Sequence, residues 1–192
     1  MIRLHRPRVR WTGRSVIPTW RVRNVHERLF PGTTLDDVSP LFATLGTPAD
    51  RFWPGTDWSP MVLDRAASKG AHGGHGGIRY TCTAHLPNRL VEFTFDDVNG
   101  RAVDGRHVLE AVPRRAGTLV RHTLDLECSA SDWIELKTLV VPAHDAVVEQ
   151  LLDNIERSIT GAVTRPHRWG LRVLLIRRLF GLPTTMAPWS DT

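Results

Sequence analysis

The chain has 192 residues and only two cysteines, Cys82 and Cys128. That is too few for a disulfide scaffold or a cysteine-based zinc ribbon. No apolar run approaches the roughly 20 residues of a membrane span. There is no G-x-S-x-G nucleophile elbow, and no glycine loop followed by Lys-Ser/Thr. The N-terminus is rich in arginine but lacks the apolar block of a secretory signal. A cytoplasmic protein with reduced thiols is therefore expected. Hydrophobic residues make up 41% and charged residues 23% of the chain, which excludes a disordered polymer. At roughly 100–200 residues per domain, one domain is expected.

The charge is unevenly spread. Residues 1–30 hold eight arginines against one acid, Glu27. Residues 31–156 hold 18 acids against nine arginines and two lysines, and residues 157–192 six arginines against one acid. The high pI near 10.2 thus belongs to the two ends. A nucleic-acid binder more often carries its basic face on the folded body, so no nucleic-acid partner is expected.

Three regions follow. Residues 1–18 read as a basic arm, 19–164 as the folded body and 165–192 as a basic, apolar tail. In the body, 19–30 alternates as a strand. Thr34 with Asp37 resembles a capping box, and Ser39-Pro40 offers a second helix start. Residues 47–60, with three prolines, Trp53 and Trp58, read as an anchored loop before a short strand at 61–64. The glycine-rich 66–77 reads as a flexible lead that bends at a cavity mouth. Strand-like runs at 77–85, 89–95, 105–112 and 118–128 are joined by loops too short for parallel crossovers. From Ser131 to Thr160 the apolar spacing changes to three and four, which is helical. Pro142 should break or kink that helix.

Alternation places Ile78, Tyr80, Cys82, Ala84, Val91, Phe93, Phe95, His107, Leu109, Ala111, Val120, His122, Leu124, Leu126 and Cys128 on one buried face. The expected rows are Tyr80–Phe95–His107–Leu124 and Cys82–Phe93–Leu109–His122. His107 and His122 thus stand on an apolar face, and His144 lies near the inner stripe of the helix. Such groups orient a polar atom of a ligand, act as acid and base, or are ordinary core histidines. His72 and His75, on glycines without a nearby carboxylate, make a poor metal site. No metal and no cofactor are expected. Asp36-Asp37 and Asp96-Asp97 fit caps and turns rather than a catalytic pair.

Strand, short helix, meander and long helix have one economical packing: an α+β helix-grip, in which a curved antiparallel sheet of six or seven strands wraps a long C-terminal helix. A single helix fills a wide concave sheet poorly, and such spaces are ligand sites. The runs DRFWPGTDWSPMVLD (50–64), GAHGGHGGIRYTC (70–82), GRHVLEAVP (105–113), LVRHTLDLE (119–127) and PAHDAVVEQLLDNIERSI (142–159) resemble bacterial members of the START-like, helix-grip (SRPBCC) superfamily, of the polyketide cyclase/dehydrase-like kind. The resemblance implies a cavity for a hydrophobic ligand under the C-terminal helix. The arm and the tail lie outside it.

The resulting expectation is a binding or carrier protein for a small apolar or aromatic molecule. Tyr80, Phe93, Phe95, His107, Leu109 and His122 of the sheet and His144, Val148 and Leu151 of the helix would line its site. The alternative is an aromatase/cyclase- or dehydratase-like enzyme using His107, His122 or Tyr80 for proton transfer. A third reading has the basic ends touching a membrane or a partner; weak membrane contact through the tail is expected, because its arginines do not separate cleanly from its apolar residues.

Overall fold

The computed structural model describes residues 3–4, 8–12 and 15–188, with side chains from 19 onward. The fold is α+β, a curved antiparallel sheet gripping a long helix. Strands β3 (Ser15–Pro31), β4 (Val62–Leu63), β5 (His72–His75), β6 (Ile78–Leu86), β7 (Leu90–Val98), β8 (Asp104–Arg114) and β9 (Gly117–Cys128) form the body of the sheet. Their order is β3-β9-β8-β7-β6-β5-β4. The basic arm falls partly outside the described residues. Within it, β1 (Arg3–Leu4) and β2 (Arg8–Thr12) pair antiparallel with β3, which itself starts earlier than the alternation indicates.

The seventh body strand is β5, in the glycine run expected to be a flexible lead. It pairs with β4 on one side and β6 on the other. Glycine is required by close approach rather than by flexibility. A Cβ on Gly73 would lie 2.0 Å from the Val62 carbonyl oxygen, and one on Gly74 1.8 Å from that of Ile78. The β5–β6 hairpin turns through Gly76, at φ +53°, and Gly77, as a two-residue turn of this hand demands.

The register differs from expectation at two places: an irregularity after Cys82 sets Ala84, expected on the inner face, opposite Glu92 of the outer face, and β7 is offset against β8. Tyr80 pairs with Phe95 and Cys82 with Phe93, and His107 pairs with Leu124 and Leu109 with His122. Between β7 and β8, however, Phe93 faces His107 and Val91 faces Leu109. The loop at 99–103, with Asn99 and Gly100 at positive φ and a bridge from Val98 to Arg101, absorbs the offset. This second slip is two residues, so the side chains of β7 and β8 keep their faces.

The long helix begins as α2 (Ala130–Glu135), capped by Ser129, widens into a π-helical turn (Leu136–Val140) and continues as α3 (Val141–Thr160). Pro142 sits just after the widened turn. A widened turn gives a proline ring room that a regular turn denies it, and helical residues continue on both sides. Pro142 has no N–H to give back, and the Arg172 guanidinium donates to two carbonyls of that turn, Lys137 (2.9 Å) and Thr138 (3.2 Å). α1 (Leu35–Thr44) starts at the Thr34–Asp37 capping box, the earlier of its two possible starts. It buries Val38, Leu41 and Phe42 in the same core as Leu152 and Ile155 of α3.

The tail supplies α4 (Leu171–Leu179), which packs on α3. Trp169, Val173 and Ile176 are buried, the first two against Ala146 of α3. Gln150 of α3 accepts from the indole N–H of both Trp58 (2.5 Å) and Trp169 (3.0 Å) and donates to Asp57 (2.7 Å). The Arg177 guanidinium, 1% exposed, lies over both rings, 4.7 Å from Trp58 and 3.9 Å from Trp169. Arg177 stands inside an otherwise apolar helix face, which is why arginine and apolar residues do not separate in a helical projection of the tail.

Candidate functional site

The site lies where the sheet's concave face meets α3. Tyr80, Phe93, Leu109, Val148 and Leu151 share one apolar cluster with α1 and the 47–60 loop. Phe95 belongs to a second cluster, with Leu124, Leu126 and Val141. His107 joins the two, with its ring 4.6 Å from Phe95 and 6.1 Å from Tyr80.

Three histidines converge at that junction. His107 Nδ1 lies 3.2 Å from His122 Nε2, and the His144 ring is 5.7 Å from His107 and 5.0 Å from His122. Alternation on β8 and β9 aims the first two inward. The helical period places His144 opposite them, one turn before Val148. His122 is 7% exposed. Its Nδ1 and both ring nitrogens of His144 are buried without a hydrogen-bond partner among the described residues. Burial, followed by the charges of neighbouring histidines, holds His107 and His122 well below the usual histidine value. Burial, reinforced by the His26 charge, brings His144 to about 3. All three are therefore neutral near pH 7, each with a lone pair on one ring nitrogen.

Two further histidines extend the file. His75 of β5 stacks between Trp53 (4.7 Å) and Tyr80 (6.0 Å), and burial, then Arg79, lowers it to about 4. His26 of β3 pairs with His122 across the sheet. Burial opposes its charge, but its bonds to Asp145 (3.0 Å) and Glu149 (2.7 Å) outweigh that and raise it to about 9. Beside it, Arg28 reaches Glu149 (2.9 Å), Asp153 (2.7 Å) and Glu156 (3.0 Å), and Asn24 donates to Asp145 (2.6 Å). Between the buried Val22 and Phe30, the inner face of β3 is thus polar, and the i, i+2, i+4 spacing of Asn24, His26 and Arg28 matches the acidic ladder of α3. Hydrophobic alternation misses His26 for this reason. The signal that finds it is the run of acids at 145, 149, 153 and 156 on a helix that must face the sheet.

His72 is exposed, accepts or donates with Thr81 (2.9 Å) and lies 3.9 Å from Asp96, away from the junction. Trp133 stacks on Trp20 (5.8 Å) at the far end of the grip. Two surface clefts, of about 370 and 440 Å3, lie on other faces, and neither is lined by a histidine. The first is rimmed by ion-paired groups, among them Arg21 with Asp125 and Arg106 with Glu92.

The solution structure of the Aha1 dimer from Colwellia psychrerythraea resembles this chain with a TM-score of 0.51 at 14% identity, covering 73% of this chain and 98% of the other. A solution structure from Thermobifida fusca does so with a TM-score of 0.50 at 19% identity, covering 77% and 99%. The likeness is one of fold. That fold is the helix-grip arrangement of a curved antiparallel sheet around a long helix. No protein-family model and no curated protein matches the sequence. Among the described residues, no helix is long and apolar enough to cross a membrane.

Proposed function

We propose that the protein binds a small apolar or aromatic molecule between the sheet and α3, in the cytoplasm, with His107, His122 and His144 facing its polar end. On the same reading the chain sits with the bacterial polyketide cyclase/dehydrase-like branch of the START-like group. One observation carries the reading: buried ring nitrogens of His122 and His144 lack partners inside an apolar shell. An unpaired buried polar group costs about 1–3 kcal/mol, and a ligand hydroxyl or carbonyl recovers it. Leu109, Val148 and Leu151 are buried in one packed cluster, so a bound ligand displaces part of that packing. The enzyme alternative draws on the His107–His122 contact beside Tyr80, but burial holds both imidazoles low and the phenol high, which weakens them as base and acid and favours the binding reading.

An apolar fluorescent probe is expected to bind the purified protein by displacing that packing, and Leu109→Trp, whose larger side chain takes the room a ligand would use, to abolish binding. Unchanged probe affinity in a folded Leu109→Trp protein overturns this site. A turnover assay separates carrier from enzyme only once a copurifying molecule has been found by native mass spectrometry.

Weak contact with an anionic membrane surface is proposed for α4. Once Val173, Ile176 and Arg177 are buried, Leu171 (87% exposed), Leu175 (59%) and Leu179 (70%) form a stripe at i, i+4, i+8, with exposed Arg168 and Arg178 beside it. Three leucines and two arginines support only shallow, salt-screened adsorption. Flotation with phosphatidylserine vesicles is expected to show slight binding at low salt and none in Leu175→Glu. Tight binding at physiological salt contradicts this.

A further inference from the structure

The convergence of three imidazoles from three separate elements has a use beyond orienting a ligand. The ligand atoms of His107, His122 and His144 all lie within 4.8 Å of one another. Two tetrahedral Zn–N bonds of about 2.0–2.1 Å set their nitrogens roughly 3.3 Å apart. The His107 Nδ1 to His122 Nε2 separation is 3.2 Å. His144, with both ring nitrogens buried and unpartnered, completes one triangular face from the opposite side of the grip. A second trio, His26, His144 and Asp145, also clusters, but both His26 nitrogens are taken by Asp145 and Glu149.

We propose that His107, His122 and His144 bind one divalent transition-metal ion of the zinc-to-copper class, leaving a fourth position open toward the apolar shell. Three neutral imidazoles suit these ions, whereas calcium and magnesium demand oxygen donors. The field is favourable. On the neighbouring turns of α3, Asp145, Glu149, Asp153 and Glu156 outnumber the two cations that face them, His26 and Arg28. The rings enter from β8, β9 and α3, which the rest of the core fixes, so the site is set up by folding rather than by the ion. A three-histidine site with an open position is the arrangement in which zinc presents a water or a substrate oxygen. The proposal goes beyond the ligand-binding reading and stands without it, because the histidines converge whether or not an organic molecule enters.

The test uses the full chain, stripped with a chelator and titrated with Zn2+, and with Co2+ as a spectroscopic probe. One ion per chain is expected, with intense visible Co2+ absorption of a four-coordinate site. His144→Leu is expected to weaken Zn2+ binding more than about a hundred-fold, since even second-shell changes cost 10–100-fold. The same change removes two unpartnered buried nitrogens, so the metal-free variant should unfold at the wild-type denaturant concentration or higher. His107→Phe is the second variant, for the case that His144→Leu fails to fold. His72→Ala, which alters an exposed histidine, should leave affinity unchanged. Equal Zn2+ affinity in folded His144→Leu or His107→Phe overturns the proposal, as does only weak, six-coordinate Co2+ absorption, or loss of binding in His72→Ala. Failure of the apolar probe to bind bears on the ligand reading alone.

Discussion

Arg28→Met is expected to lower stability by about 3 kcal/mol, the cost of leaving a buried carboxylate without its partner. The guanidinium joins β3 to three carboxylates of α3, and the Asp153 side chain is only 6% exposed. Asp153 keeps one bond, from the His167 backbone N–H (2.6 Å), so the helix loosens at its middle and not at its end. Arg28→Met with Asp153→Asn should recover part of the loss, because the uncompensated charge is gone. Urea unfolding at neutral pH measures both. A loss below about 1 kcal/mol, the level of an exposed pair, contradicts the assignment of this network as the clamp between strand and helix.

The same network sets a pH dependence. His26 has a folded pKa of about 9 against 6.5 for the free side chain. A raised pKa means that its contribution is complete below about pH 6.5 and is lost as pH rises through about 9. The unfolding midpoint should therefore fall between those limits in the wild type, and fall less in His26→Gln. A midpoint that rises over this window shows that His26 is not charged in the folded protein.

Trp169→Ala is expected to cost about 3–5 kcal/mol, the range for truncating a buried large aromatic. The change removes the ring that covers Arg177, one of the two indole donors to Gln150, and the packing on Ala146. Limited trypsin digestion should then cut at Arg172 or Arg178 well before the sheet is lost, since Trp58 still holds Gln150 from the loop side. Cleavage no faster than in the wild type, with an unchanged urea midpoint, shows that the tail is not anchored through this ring.

The helix-grip order was legible because each of its elements has a strong local period. β6 to β9 alternate, and the stretch from Ser131 onward steps by three and four, so short loops and one apolar stripe leave a single packing. Inward aim of His107, His122 and His144 follows from the same periods. What the periods do not carry is the polar middle of the inner face of β3. Asn24, His26 and Arg28 point into the grip because α3 offers Asp145, Glu149 and Asp153 at matching heights, and a pattern that equates polar with outward cannot register that.

By itself the sequence determined the architecture, the buried face and the absence of a linear catalytic or metal motif, since all of these are properties of neighbours in the chain. Tertiary structure alone decided three things. It shifted β7 against β8 by two residues, which faces are blind to, through the loop at 99–103. It made a strand of the HGGH run, because backbones approach there too closely for any side chain. It brought three histidines from 107, 122 and 144 within one ion's reach, a distance set by the curl of the sheet around α3 rather than by any spacing along the chain.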